Sequence, residues 1–131
     1  MIRAFNPADV SLPASRYSHC VEVSGASRWL YISGQVGVSM EGVVREGVGA
    51  QLDQCFDNID AALRAAKMTK ENLVKLTIYM TGGGQESLAA YRTRRDRWLG
   101  AEGHPPAGTY VVVSELADPK FLVEIEAVAA G

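Results

Sequence analysis

The last strand-like segment, Phe121 to Ala129, sets two carboxylates, Glu124 and Glu126, among Val123, Ile125, Ala127 and Val128. Side chains two apart on a strand share a side, so the two acids stand together, roughly 6–7 Å apart along the chain. A carboxylate in an apolar strand is costly unless it is paired, solvated or used. The fold must therefore leave one side of this strand open to water, a partner or a ligand. Asp118-Pro119 makes the turn before it, and Tyr110–Ser114 reads as the preceding strand.

The rest of the chain supplies a core for the other side. Leu52, Cys55, Phe56, Ile59, Leu63 and Ala66 form one stripe at helical spacing, predicting a helix over Val48–Lys67. Asp53, Asp57, Asp60, Arg64 and Lys67 lie off the stripe, acids first and bases last, in the order that suits the helix dipole. Thr69 to Asn72 reads as a capped turn. Val74, Leu76, Ile78 and Met80 alternate with Lys75, Thr77, Tyr79 and Thr81, which predicts a half-buried strand. The triplet Gly82-Gly83-Gly84 breaks it. A second helix is expected over Gln85–Leu99, with Leu88, Tyr91, Trp98 and Leu99 inward; Gly100, Gly103, Pro105 and Pro106 end it.

Upstream, His19–Ser24 and Trp29–Ser33 flank the loop Gly25-Ala26-Ser27-Arg28 and read as a hairpin. Gly34–Gly42 is a glycine-rich loop, and Val43-Val44 suits a short extra strand. The order is β-β-α-β-α-β-β, an α+β domain with a mixed sheet and two helices on one face. The free face is expected to carry Leu30, Ile32 or Tyr79 among polar residues. Small sheets of this kind bury that face against copies of themselves, so a homo-oligomer is expected.

The chain has 131 residues, which suits one domain spanning 1–131, without repeat or linker. Its formal net charge of −2 argues against a protein built to grip phosphate backbones. No apolar run approaches a membrane span, and the first thirteen residues lack the apolar core of a signal peptide, so the cytoplasm is the default location. In that reducing compartment Cys20 and Cys55 are expected as free thiols, small buried hydrophobes rather than nucleophiles.

Few motifs carry chemistry. His19 and His104 have no metal-site spacing, and no metal or cofactor is expected. The glycines lack a phosphate-loop or dinucleotide pattern, and no serine sits in a nucleophile elbow. Arg92, Arg94, Arg95 and Arg97 crowd the second helix, with Asp96 spaced to pair with Arg92. They read as a solvated outer face, the sharper alternative being an anion or RNA patch. Glu124 and Glu126 read either as a solvated, ion-paired edge or as a carboxylate that activates water or shuttles a proton.

The ordered pieces of the chain resemble the RidA family, also called YjgF or L-PSP endoribonuclease-like. Tyr17-Ser18 looks like the end of the family's Gly-Pro-Tyr-Ser motif, and Tyr31-Ile32-Ser33-Gly34-Gln35 like its Ser-Gly-Gln strand end. Gln51 and Asn58-Ile59 stand where its first helix carries Gln and Asn-Ile. Val74-Lys75-Leu76-Thr77 matches its central strand, and Pro106-Ala107 precedes the next. Val123–Ala129 matches its Glu-Ile-Glu-Ala-Ile-Ala ending.

The resemblance implies a chorismate-mutase-like fold, a homotrimer and three small-molecule clefts between subunits. Members similar to RidA itself hydrolyse enamines and imines derived from amino acids. In them an arginine after the Pro-Ala pair clamps the substrate carboxylate, the first glutamate of the closing strand positions or activates water, and the N-terminal tyrosine lines the cleft. By this resemblance Glu124 is the general base or water-positioner, and Tyr17, Ser33 and Gly34 line the cleft. Gly108 stands where the arginine is expected, and a planar bidentate clamp has no substitute in a hydrogen atom. The pocket is therefore expected to be larger and less positive. Arg16 replaces the family's proline before the tyrosine, and either reaches the cleft from the other side or points to water. Three functions follow: hydrolysis or deamination of a small nitrogen compound other than a typical 2-imino acid, non-catalytic binding or sensing of a metabolite, and the endoribonuclease or translation-inhibitor activity ascribed to some relatives.

Overall fold

Alternating apolar residues build a four-stranded sheet whose inner side meets two helices. The computed structural model describes residues 1–131. Its strands are β1 (Ile2–Phe5), β2 (Cys20–Val23), β3 (Trp29–Val36), β4 (Leu73–Met80), β5 (Ala107–Val112) and β6 (Val123–Ala130). Helices α1 (Val48–Ala65) and α2 (Gly84–Leu99) separate β3 from β4 and β4 from β5. The main sheet has the order β3-β6-β4-β5. Only β4 and β5 run parallel, and α2 is the crossover that such a pair requires.

The core forms where the periods predicted it. Leu52, Cys55, Phe56, Ile59 and Leu63 of α1 pack against Leu76, Ile78 and Met80 of β4 and Val123, Ile125, Ala127 and Ala129 of β6. Trp98 of α2 stacks on Phe56 with ring centroids 4.5 Å apart, tying the helices together. Such aromatic pairs add about 0.5–1.5 kcal/mol beyond their buried area. Helix α1 stops at Ala65 rather than Lys67, because Lys67 takes a left-handed turn at φ 57°. Thr69 and Asn72 close the expected cap, each side chain accepting from backbone N–H groups of the other end of the turn. No helix is long and apolar enough to cross a membrane.

Several expectations change. The chain contains an additional N-terminal strand, β1, and β2 pairs with it in a separate ribbon rather than forming a hairpin with β3. Strand β3 instead joins β6, held at its start by reciprocal backbone hydrogen bonds between Arg28 and Gly131 of 2.9 and 3.0 Å. Leu30 and Ile32 face the helices, not the free side. The register of β4 slips between Leu73 and Lys75, so Leu73 takes the buried position expected of Val74. Finally, β5 starts at Ala107 and ends at Val112, because Ala107 through Val112 pair with Lys75 through Met80. Val43-Val44 contributes an isolated bridge between Val38 and Val44 rather than a strand.

Candidate functional site

The free face of the sheet carries the acids. Across β6 and β4, Glu124 lies opposite Tyr79 and Glu126 opposite Thr77. Ile32 pairs with Ala127 and Gln35 with Ile125, so Ser33 and Gly34 bulge opposite a single residue, Glu126. The bulge explains the glycine. A Cβ at Gly34 would sit 2.2 Å from Oε2 of Glu124, so the carboxyl group rests directly on the Gly34 backbone. Glu124 is half-buried there and accepts no hydrogen bond from its own chain. Glu126 is engaged: the Tyr79 hydroxyl donates to its Oε1 at 2.6 Å. That bond, with the nearby negative charges of Glu126 and Glu124, pushes the Tyr79 phenol above its usual range. Tyr31, 75% exposed, lines with Ser33, Lys75, Thr77, Glu126 and Val128 a shallow hollow of about 350 Å³ on this face.

Gln51 holds the approach to this strand. It is 1% exposed, donates to the carbonyls of Arg45 (3.0 Å) and Lys120 (2.9 Å), and accepts from the Leu122 N–H (2.8 Å). Asn58 likewise donates to the Val36 carbonyl at the end of β3. These two polar helix residues are structural clamps on the chain ends that deliver Gly34 and Glu124. Cys55 is fully buried beneath them, and burial, reinforced by Glu124, pushes its thiol up to about 12, which makes it unfit as a nucleophile.

A second cluster lies on the other side. Gly108 and Tyr110 pair with Leu76 and Ile78, so they share the helix-covered face. The Ser18 N–H donates to the Pro106 carbonyl (3.1 Å) and its hydroxyl to that of Pro105 (2.6 Å), which seats Tyr17 beside Gly108. A Cβ at Gly108 would meet only the Tyr17 Cβ, at an ordinary 3.5 Å, and Gly108 does not adopt a positive φ. The backbone thus permits a side chain at this position. Tyr17 and Gly108 border a cavity of about 400 Å³ with His19, Tyr110, Arg92 and Arg95. The His19 ring stands edge-on to Tyr17 at 5.5 Å and donates its Nε2 hydrogen to the Ser11 carbonyl at 2.6 Å.

The expectation of a solvated arginine face is corrected here. Arg95 is 4% exposed, because it lies on the same i, i+4 stripe as Ser87 and Tyr91 and lays its guanidinium over the Tyr91 ring at 5.1 Å. Arg94 is paired with Asp53 of α1, and Asp96 pairs with Arg95 rather than with Arg92. Two guanidinium groups, Arg92 and Arg95, line this wall of the single chain. Arg16 does not join them. It borders a different hollow of about 360 Å³, with Lys70, Glu71, Glu102 and His104.

Among the sequence-predicted residues, then, the structure brings Glu124 to Gly34 and Ser33, and Tyr17 to Gly108, as two clusters on opposite faces of one sheet. Tyr110 was not singled out, His19 was weighed only as a metal ligand, and Arg92 and Arg95 were read chiefly as a solvated face, with an anion patch as the alternative. The signal for Arg95 was its place on the buried stripe of α2, which the density of neighbouring charges obscured. No three His, Cys, Asp or Glu side chains gather into a metal-holding group.

Comparison with known proteins agrees with this architecture. The model of the endoribonuclease L-PSP family matches residues 9–131. A RutC family protein of Aquifex aeolicus is 42% identical over 81 residues, an overlap of 61% of this chain and 62% of that relative's length. The crystal structure of YyfB from Yersinia pestis, described as a conserved Rid family protein of unknown function, superimposes with a TM-score of 0.88 at 33% identity, covering 98% of each chain. Yeast Mmf1 shares the fold at 19% identity, with a TM-score of 0.69 over 99% of this chain and 98% of its own. The continuous match from Asp9 to Gly131, together with the near-complete superposition on a Rid protein, places this chain in the endoribonuclease L-PSP family, the RidA/YjgF group.

Proposed function

We propose that the chain works as a RidA-like homotrimer that hydrolyses or deaminates a small nitrogen-containing metabolite in clefts between subunits. The observation that carries this reading is Glu124: half-buried, seated on a glycine bulge, and without a hydrogen bond from its own chain. A carboxylate so placed is available to take a proton from water. In hydrolysis of a protonated C=N bond, that water adds to the carbon while one of its protons passes to Glu124, giving a neutral carbinolamine. The carboxyl group then gives that proton to nitrogen as the C–N bond breaks, and the remaining hydroxyl proton passes to the freed carboxylate or to the departing ammonia, leaving a carbonyl product. Tyr17 belongs to the opposite face in the same chain, so a cleft containing both needs the Tyr17 cluster of one copy set against the Glu124 face of the next. The exposed Tyr31 and half-buried Val128 on that face favour such coverage.

Gly108 sets the substrate apart from typical 2-imino acids, because it leaves room where the resemblance expects a guanidinium. A ribonuclease reading needs the Arg92–Arg97 face to meet phosphates, and burial of Arg95 and pairing of Arg94 with Asp53 weaken it. The test is ammonia release from a panel of small imines, enamines and other C–N compounds, with 2-iminobutyrate and aminoacrylate included. Turnover of some other member of the panel, lost in Glu124→Gln, supports the proposal. Full activity on 2-iminobutyrate, at the level of arginine-bearing relatives, contradicts the reading of Gly108. Ligand binding without turnover of any compound favours a metabolite sensor.

A further inference from the structure

Two acids share the free side of β6, and the chain treats them unequally. Glu124 faces Tyr79 directly across the β6–β4 pair, and Glu126 faces Thr77. The Tyr79 hydroxyl bypasses its direct neighbour and donates diagonally to Glu126 Oε1 at 2.6 Å. Diagonal neighbours on a sheet stand roughly 7–8 Å apart, a span that an aromatic side chain bridges. The cation of this face does not compete for Glu126. Lys75 shares the hollow with Glu126 but turns its amine to the Thr109 hydroxyl at 2.6 Å. The ion pairs of the chain are Arg3–Glu22, Arg94–Asp53 and Arg95–Asp96, so neither sheet acid has one. The phenol is therefore the one side chain that tells the two acids apart.

We infer that Tyr79 is a positioning residue: by tying up Glu126 it leaves Glu124 as the one acid on this face that exchanges protons. Two acids on one side of a strand compete for the same proton unless something separates them. A hydrogen bond to an ionised carboxylate is among the strong ones, and it fixes Glu126 beside Thr77. Glu124 is left alone on the Gly34 backbone. A phenylalanine would fill the same place on the face and donate nothing. The inference rests on the reading of Glu124 as the working acid and adds the residue that singles it out.

Two measurements on the full-length protein test it. The first needs no substrate: carbodiimide coupling of glycinamide to carboxyl groups, followed at Glu124 and Glu126 by mass spectrometry. Glu124 is expected to couple about tenfold or more faster than Glu126, and the two rates to come within about threefold of each other in Tyr79→Phe. Tyr79 is half-buried and phenylalanine keeps its ring, so the fold is not at stake. The second measurement uses whichever compound releases ammonia. Tyr79→Phe is expected to lower kcat about tenfold at unchanged KM, because a freed Glu126 competes for the proton. Added to Glu126→Gln, the same change is expected to cost nothing further, since no second acid remains to be held. A role in packing alone would cost the same in either background. Equal coupling of the two acids in the native protein, coupling unchanged in Tyr79→Phe, or an equal kcat loss with Gln at position 126 overturns the inference. Selective coupling at Glu124 that depends on Tyr79, with no compound turned over, sinks the hydrolase proposal alone. Turnover lost in Glu124→Gln but untouched by Tyr79→Phe sinks this inference alone.

Discussion

Glu124 and Arg95 are both drawn away from bulk water, and the fold treats them in opposite ways. The acid stands on the open side of the sheet, cushioned by Gly34 and given no donor by its own chain. The cation is sealed on the helix side, stacked on Tyr91 and paired with Asp96, with the Ser15 hydroxyl also within reach. An open acid depends on what covers its face, whereas a sealed cation finds its partners within its own chain. The proposed trimer is the arrangement that sets the acid of one copy against the Tyr17 cluster of another.

The largest effect should come from neutralising the acid. Glu124→Gln is expected to lower kcat by about a hundredfold or more on whichever compound releases ammonia, since general base catalysis typically contributes that much. Its thermal midpoint should hardly move. Turnover that survives this change breaks the contrast, because the open face would then do no chemistry.

Gln51→Leu sharpens it from the structural side. It leaves the Lys120 carbonyl and the Leu122 N–H unpaired in a half-buried place, and a loss of about 1–2 kcal/mol in urea unfolding is expected. Hydrogen exchange should rise around Lys120–Glu124 and stay unchanged at Ser15–His19, because the clamp serves only the acidic side.

Gly34→Ala is a smaller and more local probe. The added methyl must displace the end of the flexible Glu124 side chain, so kcat should fall about tenfold by misplacement alone. Stability should change by less than about 1 kcal/mol, as measured by the same unfolding curve. Loss of fold would show that the close approach is a backbone constraint rather than a seat for the acid.

The smallest effect is a titration. Burial raises the Cys55 thiol from 9.0 to about 12, so its contribution to stability is complete below pH 9 and disappears as pH climbs from 9 towards 12. The buried Tyr91 phenol, raised from 10.0 to about 12, adds to that loss over the upper part of the same range. Thermal midpoints should therefore fall between pH 9 and 11, and less steeply in Cys55→Ala. At pH 8 a disulfide reagent should label Cys20, which is partly exposed, well before Cys55.

The elements that bury a periodic stripe were legible from residue order. The α1 stripe from Leu52 to Leu63 and the alternation of β6 appear in the structure as read, because burial itself imposes those periods. Strand β1 was not legible: Ile2–Phe5 is four residues long, and its pairing with β2 is a distant choice that no local pattern records. The slip at Leu73 is likewise invisible to strict alternation. At the site, Glu124 announced itself by being an acid among apolar neighbours. Arg95 did not, because a buried arginine over a tyrosine and an exposed one in a charged helix look alike until the packing partner is known. Neither face of the sheet could be assigned to Gly108 before its register with Leu76 was fixed.

The central claim is that the acidic face is completed by another copy of this chain. Sedimentation of the purified protein at micromolar concentration tests it most directly. A single species at three times the protomer mass is expected, persisting on dilution and disrupted by a charge placed at Tyr31 on the free face. A stable lone protomer across that range would contradict the account.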